Sequence, residues 1–314
     1  MSDIFTGRLR SEIPSALTHI LTACLHEKPH LKELNLSDNA FGPAGADPLA
    51  PFLEACQTLE YLHLNNNGLG VTGGTTIAKA LIKRSETHTP TLKVLVAGRN
   101  RLENGSSALL AQAFKLHAQT IKVVRLPQNG IRPEGIVNLV QDGLGYCSKL
   151  KWLDFQDNTL TLSGSESIAH AMNKKAWPNM QALNLADALI GSKGGIAICK
   201  SLIDAPLSDL LILNLSYGEI DERAIRHLAV AVNHMPALIS LEINGNRFQE
   251  DSEAVEQLLS VLKRQGKAEG VLGDLDDMED ISDESDADLD EDKVEDQVES
   301  RLSELNEALE KAEI

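Results

Sequence analysis

A nine-residue pattern, L-x-x-L-x-L-x-x-N, returns eight times along this chain, and no other feature restricts its fold as tightly. It reads Leu31–Leu34–Leu36–Asn39, Leu59–Leu62–Leu64–Asn67, Leu92–Leu95–Ala97–Asn100, Ile121–Val124–Leu126–Asn129, Leu150–Leu153–Phe155–Asn158 and Leu238–Leu241–Ile243–Asn246. Two further copies, Met180–Leu183–Leu185 and Leu210–Leu213–Leu215, end on Ala188 and Gly218 instead of Asn. The closing positions lie 28 to 33 residues apart, so one structural unit is being repeated.

The spacing dictates the unit. Alternating Leu-x-Leu makes a short strand whose apolar side chains point one way. The closing Asn turns the chain, and its amide can satisfy backbone groups of the neighbouring unit. Between strands, apolar residues fall at helical intervals, as in Leu49, Phe52, Leu53 and Cys56, or Ile136, Leu139, Val140 and Cys147. One unit is too small to bury its own apolar faces, so units must stack. The expected fold is an α/β leucine-rich repeat solenoid, a horseshoe like that of the ribonuclease inhibitor, with parallel strands on the concave face and helices outside. Residues 1–270 form this domain. Its first unit is incomplete: a strand remnant at Ile4 and Phe5, a loop, and a helix from about Ser15. A helix over Ala254–Leu262 finishes the stack, and Gly266 and Gly270 break the pattern.

Charge sets the remaining segment apart. The chain carries 46 acidic and 29 basic residues, a net of −17. Residues 271–314 hold nineteen of the acids against Lys293, Arg301 and Lys311, so the body is nearly neutral. Residues 274–299 read as acidic low-complexity sequence without a packed core, followed by Leu302, Leu305 and Leu309 at helical spacing. A neutral body lacks the clustered Lys and Arg that phosphate-backbone binding needs, so no nucleic acid is expected. The absence of a long apolar run argues against a membrane partner. Cys24, Cys56, Cys147 and Cys199 make neither a CxxC pair nor a zinc-type cluster, so a reduced, intracellular protein is expected.

Most chemistry-bearing residues have structural readings. The repeat asparagines close turns. Gly68, Gly70 and Gly73 imitate a dinucleotide fingerprint, but glycines recur in the same loop as Gly42 and Gly45 and as Gly130 and Gly135, so they read as turn residues. Cys56 and Cys147 stand at the same repeat position and belong to the core. His63 lies on the concave strand face as solvated surface. No Walker loop, HExxH or Ser/His/Asp set is present, so no enzyme active site is expected. The repeat leaves two segments unexplained: Asp3-Ile-Phe-Thr-Gly-Arg8 with Arg10, and Gly98-Arg-Asn-Arg-Leu-Glu-Asn-Gly105. Arg8, Asn66 and Arg99 are expected at one strand-to-helix edge, as a polar binding rim or as solvated loop charge.

These segments also carry a resemblance. Together with Leu36-Ser-Asp-Asn-Ala-Phe-Gly42, Asn66-Asn-Gly-Leu-Gly70, Gln128-Asn-Gly-Ile-Arg-Pro-Glu-Gly135, Leu153-Asp-Phe-Gln-Asp-Asn158 and Asn244-Gly-Asn-Arg-Phe248, they are similar to the yeast-type Ran GTPase-activating proteins. The likeness runs over essentially the whole chain and includes the acidic tail. It implies an activator of another protein's GTP hydrolysis, acting on the GTP form of Ran in nucleocytoplasmic transport, with or without a Ran-binding protein. It implies no cofactor of its own, since the partner holds GTP and magnesium. The resemblance implies Asn66 and Arg8 as the catalytic residues: Asn66 matches the asparagine that positions the partner's catalytic glutamine, and Arg8 matches the functionally important arginine of the TGR segment, assigned to holding the switch surface and supporting the site electrostatically, not to direct phosphate contact. Arg10, Asp38, Arg99 and Arg101 are implied as partner contacts. The chain begins almost on the TGR segment, where family members carry one more repeat, and it ends after the tail. A cytoplasmic monomer is therefore expected. Two other readings stand beside it: a scaffold that binds a different protein, or an inhibitor that blocks one.

Overall fold

Among the described residues, eight three-residue strands form one parallel sheet in chain order, β1 Glu33–Asn35, β2 Tyr61–His63, β3 Val94–Val96, β4 Val123–Arg125, β5 Trp152–Asp154, β6 Ala182–Asn184, β7 Ile212–Asn214 and β8 Ser240–Glu242. This is a computed structural model, and it describes residues 1–5, 7–27, 30–267 and 270–278. The register follows the pattern: Leu34, Leu62, Leu95, Val124, Leu153, Leu183, Leu213 and Leu241 pair in succession. All eight are buried.

Each strand is followed by a helix on the other side of the core. The helices are α1 Ile13–Glu27, α2 Ala46–Ala55, α3 Gly70–Thr87, α4 Glu103–Leu116, α5 Pro133–Gln141, α6 Thr161–Asn173, α7 Gly191–Asp204, α8 Glu222–Val232 and α9 Glu253–Arg264. Every helix packs on the next in sequence. Neighbouring strands sit about 4.8 Å apart and neighbouring helices about 8–10 Å apart, so the stack must fan with its strands inside. The α/β leucine-rich repeat solenoid read from the pattern is the fold observed.

The one long repeat interval, Asn67 to Asn100, is taken up by the 18 residues of α3. Near its end Arg84 is fully buried and donates to the carbonyls of Gln57 and Leu59, and to Thr91 Oγ1. Burial lowers its hold on the proton; the bonds from Nη2 offset part of the cost of burying the guanidinium, whose Nε and Nη1 have no partner among the described residues.

Three local expectations change. Ile4 and Phe5 form no strand; they occupy the turn that would follow one. Their N–H groups donate to Asn39 Oδ1 at 2.8 and 3.1 Å, and Asp3 N–H donates to Ser37 O at 3.1 Å. The helix after them begins at Ile13, ahead of Ser15. Cys56 and Cys147 are buried and free, yet they lie just past α2 and past a short 3₁₀ turn (Leu144–Tyr146), where the backbone has left helical geometry. Burial pushes the Cys147 and Cys199 thiols up to about 12, which leaves them inert.

Residues 271–278, grouped from sequence with the acidic segment, lie along the far edge of β8. Leu241 N–H donates to Val271 O at 2.7 Å and Gly273 N–H to Leu241 O at 2.9 Å, while Leu272, Leu275 and Met278 pack on the core. The unpaired strand edge is thereby covered. The rest of the acidic segment, with Leu302, Leu305 and Leu309, lies outside the described residues.

Candidate functional site

The residue directly before each repeat Asn has a special backbone. Asp38, Asn66, Arg99, Gln128 and Asp157 have φ of 61°, 52°, 55°, 53° and 52°, and Asp187 and Tyr217 continue the series at 51° and 53°. A left-handed conformation costs a non-glycine residue about 1–2 kcal/mol, so something must offset it seven times over. The offset is a second ladder beyond the strands. Asp38 N–H donates to Asn65 O, Asn66 N–H to Gly98 O, Arg99 N–H to Pro127 O and Gln128 N–H to Gln156 O, at 2.8–2.9 Å. The repeat asparagine locks the turn from below. Asn67 Nδ2 donates to Leu36 O and Leu64 O, and Asn67 N–H donates to Asn100 Oδ1. Asn39, Asn100 and Asn129 repeat the arrangement, so the structural reading of these residues holds.

The side chains of this ladder stand in a row at the rim where strands pass into helices. The row borders an open groove of about 1090 Å³. Arg10, Asn66, Arg99 and Arg101 line one part of it and Asp157 and Asp187 another, with Gln128 between. Four of the six residues singled out from sequence thus meet in one groove. Asp38 lies outside the lining but touches it: its Oδ1 accepts from Asn66 Nδ2 at 3.1 Å.

Arg8 stands apart from the groove residues. It lies in the loop that leads into α1, on the strand-to-helix side expected for it, but the ladder position equivalent to Asn66 and Arg99 in the first unit belongs to Asp3, whose φ is 54°. Arg8 is exposed in the loop before α1, its N–H bonded to Phe5 O, and it does not line the groove. Counting back from Asn39 through the ladder bond between Asp3 and Ser37 moves the register by five residues.

Gln128, Asp157 and Asp187 were not singled out from sequence. The signal was present, since each directly precedes the closing position of its repeat, as Asn66 does.

Gly68 and Gly70 form the turn that enters α3, and Gly73 lies in the first turn of that helix. Gly68 and Gly70 have φ of 64° and 61°, and a Cβ on Gly73 would come within 3.0 Å of Leu69 and 3.4 Å of Pro43. His63 is half-buried on the concave face, with Nε2 3.9 Å from Glu33 Oε1. Further along that face Arg125 stacks over the Trp152 ring at 4.8 Å and pairs with the buried Asp154 carboxylate at 3.0 Å. Among the described residues no group of three or more His, Cys, Asp or Glu could hold a metal ion, and no helix is long and apolar enough to cross a membrane.

Comparison with known proteins fits this geometry. A family model described as Leucine Rich repeat matches residues 27–50, 55–78 and 178–199. The chain is 38% identical over 267 residues to Ran GTPase-activating protein 1 of Saccharomyces cerevisiae, an alignment covering 82% of this chain and 65% of the yeast protein. It is 48% identical over 137 residues to Ran GTPase-activating protein 1 of Xenopus laevis, covering 41% of this chain and 23% of the frog protein. A lower similarity, 23% identity over 284 residues, links it to the ribonuclease inhibitor of Sus scrofa, covering 81% of this chain and 60% of the inhibitor. The chain thus spans less than two-thirds of the yeast relative and about a quarter of the frog one.

Proposed function

We propose that this chain binds the GTP form of Ran and accelerates hydrolysis of the nucleotide, a reading supported by its repeat fold and its similarity to Ran GTPase-activating proteins. The observation that carries the reading is the placement of Asn66: a backbone clamped at both ends of its turn, a side chain at the rim, and three arginines in the same groove.

GTPases of this class need a glutamine to orient the attacking water and positive charge near the γ-phosphate. Asn66 brings no charge. Its carboxamide offers two donors and an acceptor, which suits it to holding the amide of the partner's glutamine and so fixing the water. The clamped backbone means little ordering remains to be done on docking. Arg10, Arg99 and Arg101 give this part of the groove a positive potential toward an acidic or phosphate-bearing partner surface. Arg8, outside the groove, holds the partner's switch surface, and Asp38 stands at the contact next to Asn66. GTP and magnesium are held by Ran, so the chain acts as an activator and brings no cofactor. We read it as a cytoplasmic monomer that works with or without a Ran-binding protein on the complex.

Single-turnover GTP hydrolysis by Ran with and without this chain tests the proposal. Acceleration that falls with Asn66→Ala, together with a raised half-saturation for Arg8→Ala, is the expected result. A folded chain that binds Ran-GTP and slows or leaves unchanged its hydrolysis would favour the inhibitor reading that the ribonuclease-inhibitor likeness offers; no binding at all would sink the reading.

A further inference from the structure

The rim pair Asp38 and Asn66 deserves a role of its own. Both residues sit on the left-handed ladder one repeat apart, both are exposed, and both have backbone N–H groups tied to the next repeat at 2.8 and 2.9 Å. Neither backbone is free to swing. Their side chains are joined, Asn66 Nδ2 to Asp38 Oδ1 at 3.1 Å.

The chemistry of that bond decides which way Asn66 faces. An ionised carboxylate can only accept hydrogen bonds, so the carboxamide must turn its NH₂ side toward Asp38. The opposite edge, the carbonyl oxygen, is then directed away from Asp38. Without the carboxylate the amide could rotate by half a turn at little cost, and each rim complex would have to select the correct face. In water the bond is worth little. Inside a docked interface, where water is displaced, a charge-assisted bond of this type is roughly twice as strong as a neutral one.

We propose that Asp38 is the positioning residue for Asn66: it acts through that side chain, holding its carbonyl oxygen toward the partner's glutamine amide, and its main contribution is to rate rather than to affinity. This rests on the reading of the chain as a Ran activator, and it departs from a role for Asp38 as a simple partner contact. The neighbouring layer explains why Asp38 is not needed for the fold. Asn65, one residue before Asn66, sends its side chain the other way, with Oδ1 accepting from Gly98 N–H at 2.7 Å, and the turn is closed from within by Asn67. The Asp38–Asn66 bond adds nothing to either.

The experiment is a double-mutant cycle on single-turnover hydrolysis of Ran-GTP, with wild type, Asp38→Ala, Asp38→Asn, Asn66→Ala and Asp38→Ala combined with Asn66→Ala, all checked for equal melting temperature. Asp38→Ala is expected to lower the saturating rate roughly tenfold while the half-saturating concentration stays within about twofold. Asp38→Asn, which offers a donor as well as an acceptor and so no longer dictates the face of the Asn66 amide, should recover only part of that rate. In the Asn66→Ala background, Asp38→Ala should have no further effect, because the residue it acts through is gone. Additive losses in the double variant, or a raised half-saturation at full rate, would overturn the inference and return Asp38 to a partner contact. A wild-type rate preserved in Asp38→Ala would overturn it too, leaving the activator reading intact. No acceleration by the wild-type chain would instead remove the activator reading and this inference with it.

Discussion

The first five repeats and the next two solve the same turn differently. From Asn39 to Asn158 an unbroken relay of asparagines runs from unit to unit, each Oδ1 accepting the backbone N–H of the asparagine before it. At Ala188 and Gly218 the relay is missing, and it resumes at Asn246, whose Oδ1 accepts from Gly218 and Ile220 N–H. Yet Asp187 and Tyr217 keep the same left-handed backbone as Asn66, with N–H bonds of 2.8 Å to Ser216 O and Asn244 O. The outer ladder therefore suffices to shape the turn, and the asparagine adds fixation from inside. The division also separates the rim chemically. The relayed part carries Asn66 and the arginines, and the broken part carries Asp187 and Tyr217, the latter bonded through its hydroxyl to Asp277 at 2.7 Å. Rigid fixation coincides with the side chains proposed to act on Ran.

The largest expected effect sets the two parts directly against each other. Asn66→Ala should cut the saturating rate of Ran GTP hydrolysis about a hundredfold, roughly 2.7 kcal/mol of barrier, while Asp187→Ala at the matching position should leave it within about twofold. Equal losses at both sites, measured in one single-turnover series, would erase the functional distinction between the two halves.

The next effect concerns stability. Asn100→Ala removes the acceptor of Asn67 N–H and Leu69 N–H, and the donor to Leu64 O, Ala97 O and Gly98 O. Leaving such buried groups unpaired should cost about 2 kcal/mol, read as a shift in the urea midpoint. A smaller change in the opposite direction is expected for Ala188→Asn, which restores the relay at a broken position; a gain of about 1 kcal/mol is the natural scale for a newly made buried hydrogen bond. If Ala188→Asn destabilises the protein, then the interior at that repeat has closed around alanine, and the two parts differ in packing as well as bonding.

The smallest effect is a pH dependence confined to the relayed part. His117, just past the end of α4, is buried, with its Nδ1 on Ala113 O at 2.9 Å, its Nε2 3.4 Å from Ser85 Oγ and the Arg84 charge nearby. Burial lowers its pKa below the usual 6.5, and Arg84 adds to this. The unfolded chain then takes up the proton more readily, so this contribution to stability is full above pH 6.5 and is lost as pH falls below it. His117→Gln should flatten the decline in melting temperature between pH 7 and pH 5.5, and an unchanged slope would show that other groups set it.

What the sequence determined by itself was everything that depends on period. The Leu-x-Leu alternation specifies which residues face the core, and the spacing of the closing positions gives the number and order of repeats; stacking identical units allows no other arrangement of their apolar faces. The structural role of Asn67 or Asn100 follows from the same logic, since a buried turn has backbone groups to satisfy. The candidate site was half legible. Asn66, Arg99 and Arg101 stand within or beside the pattern and could be placed, whereas Gln128, Asp157 and Asp187 occupy an identical slot and passed unremarked. Only the tertiary structure decided the rest. Arg8 lies off the ladder and Ile4 and Phe5 form a turn because the start of the chain pairs with Ser37 and Asn39, a contact 35 residues away that no local pattern encodes. Residues 271–278 cover β8 because an exposed strand edge can be capped by whatever follows it, even chain of acidic composition. The bond from Asn66 to Asp38 is of the same kind: two exposed polar residues 28 positions apart become neighbours only when one repeat is laid against the next.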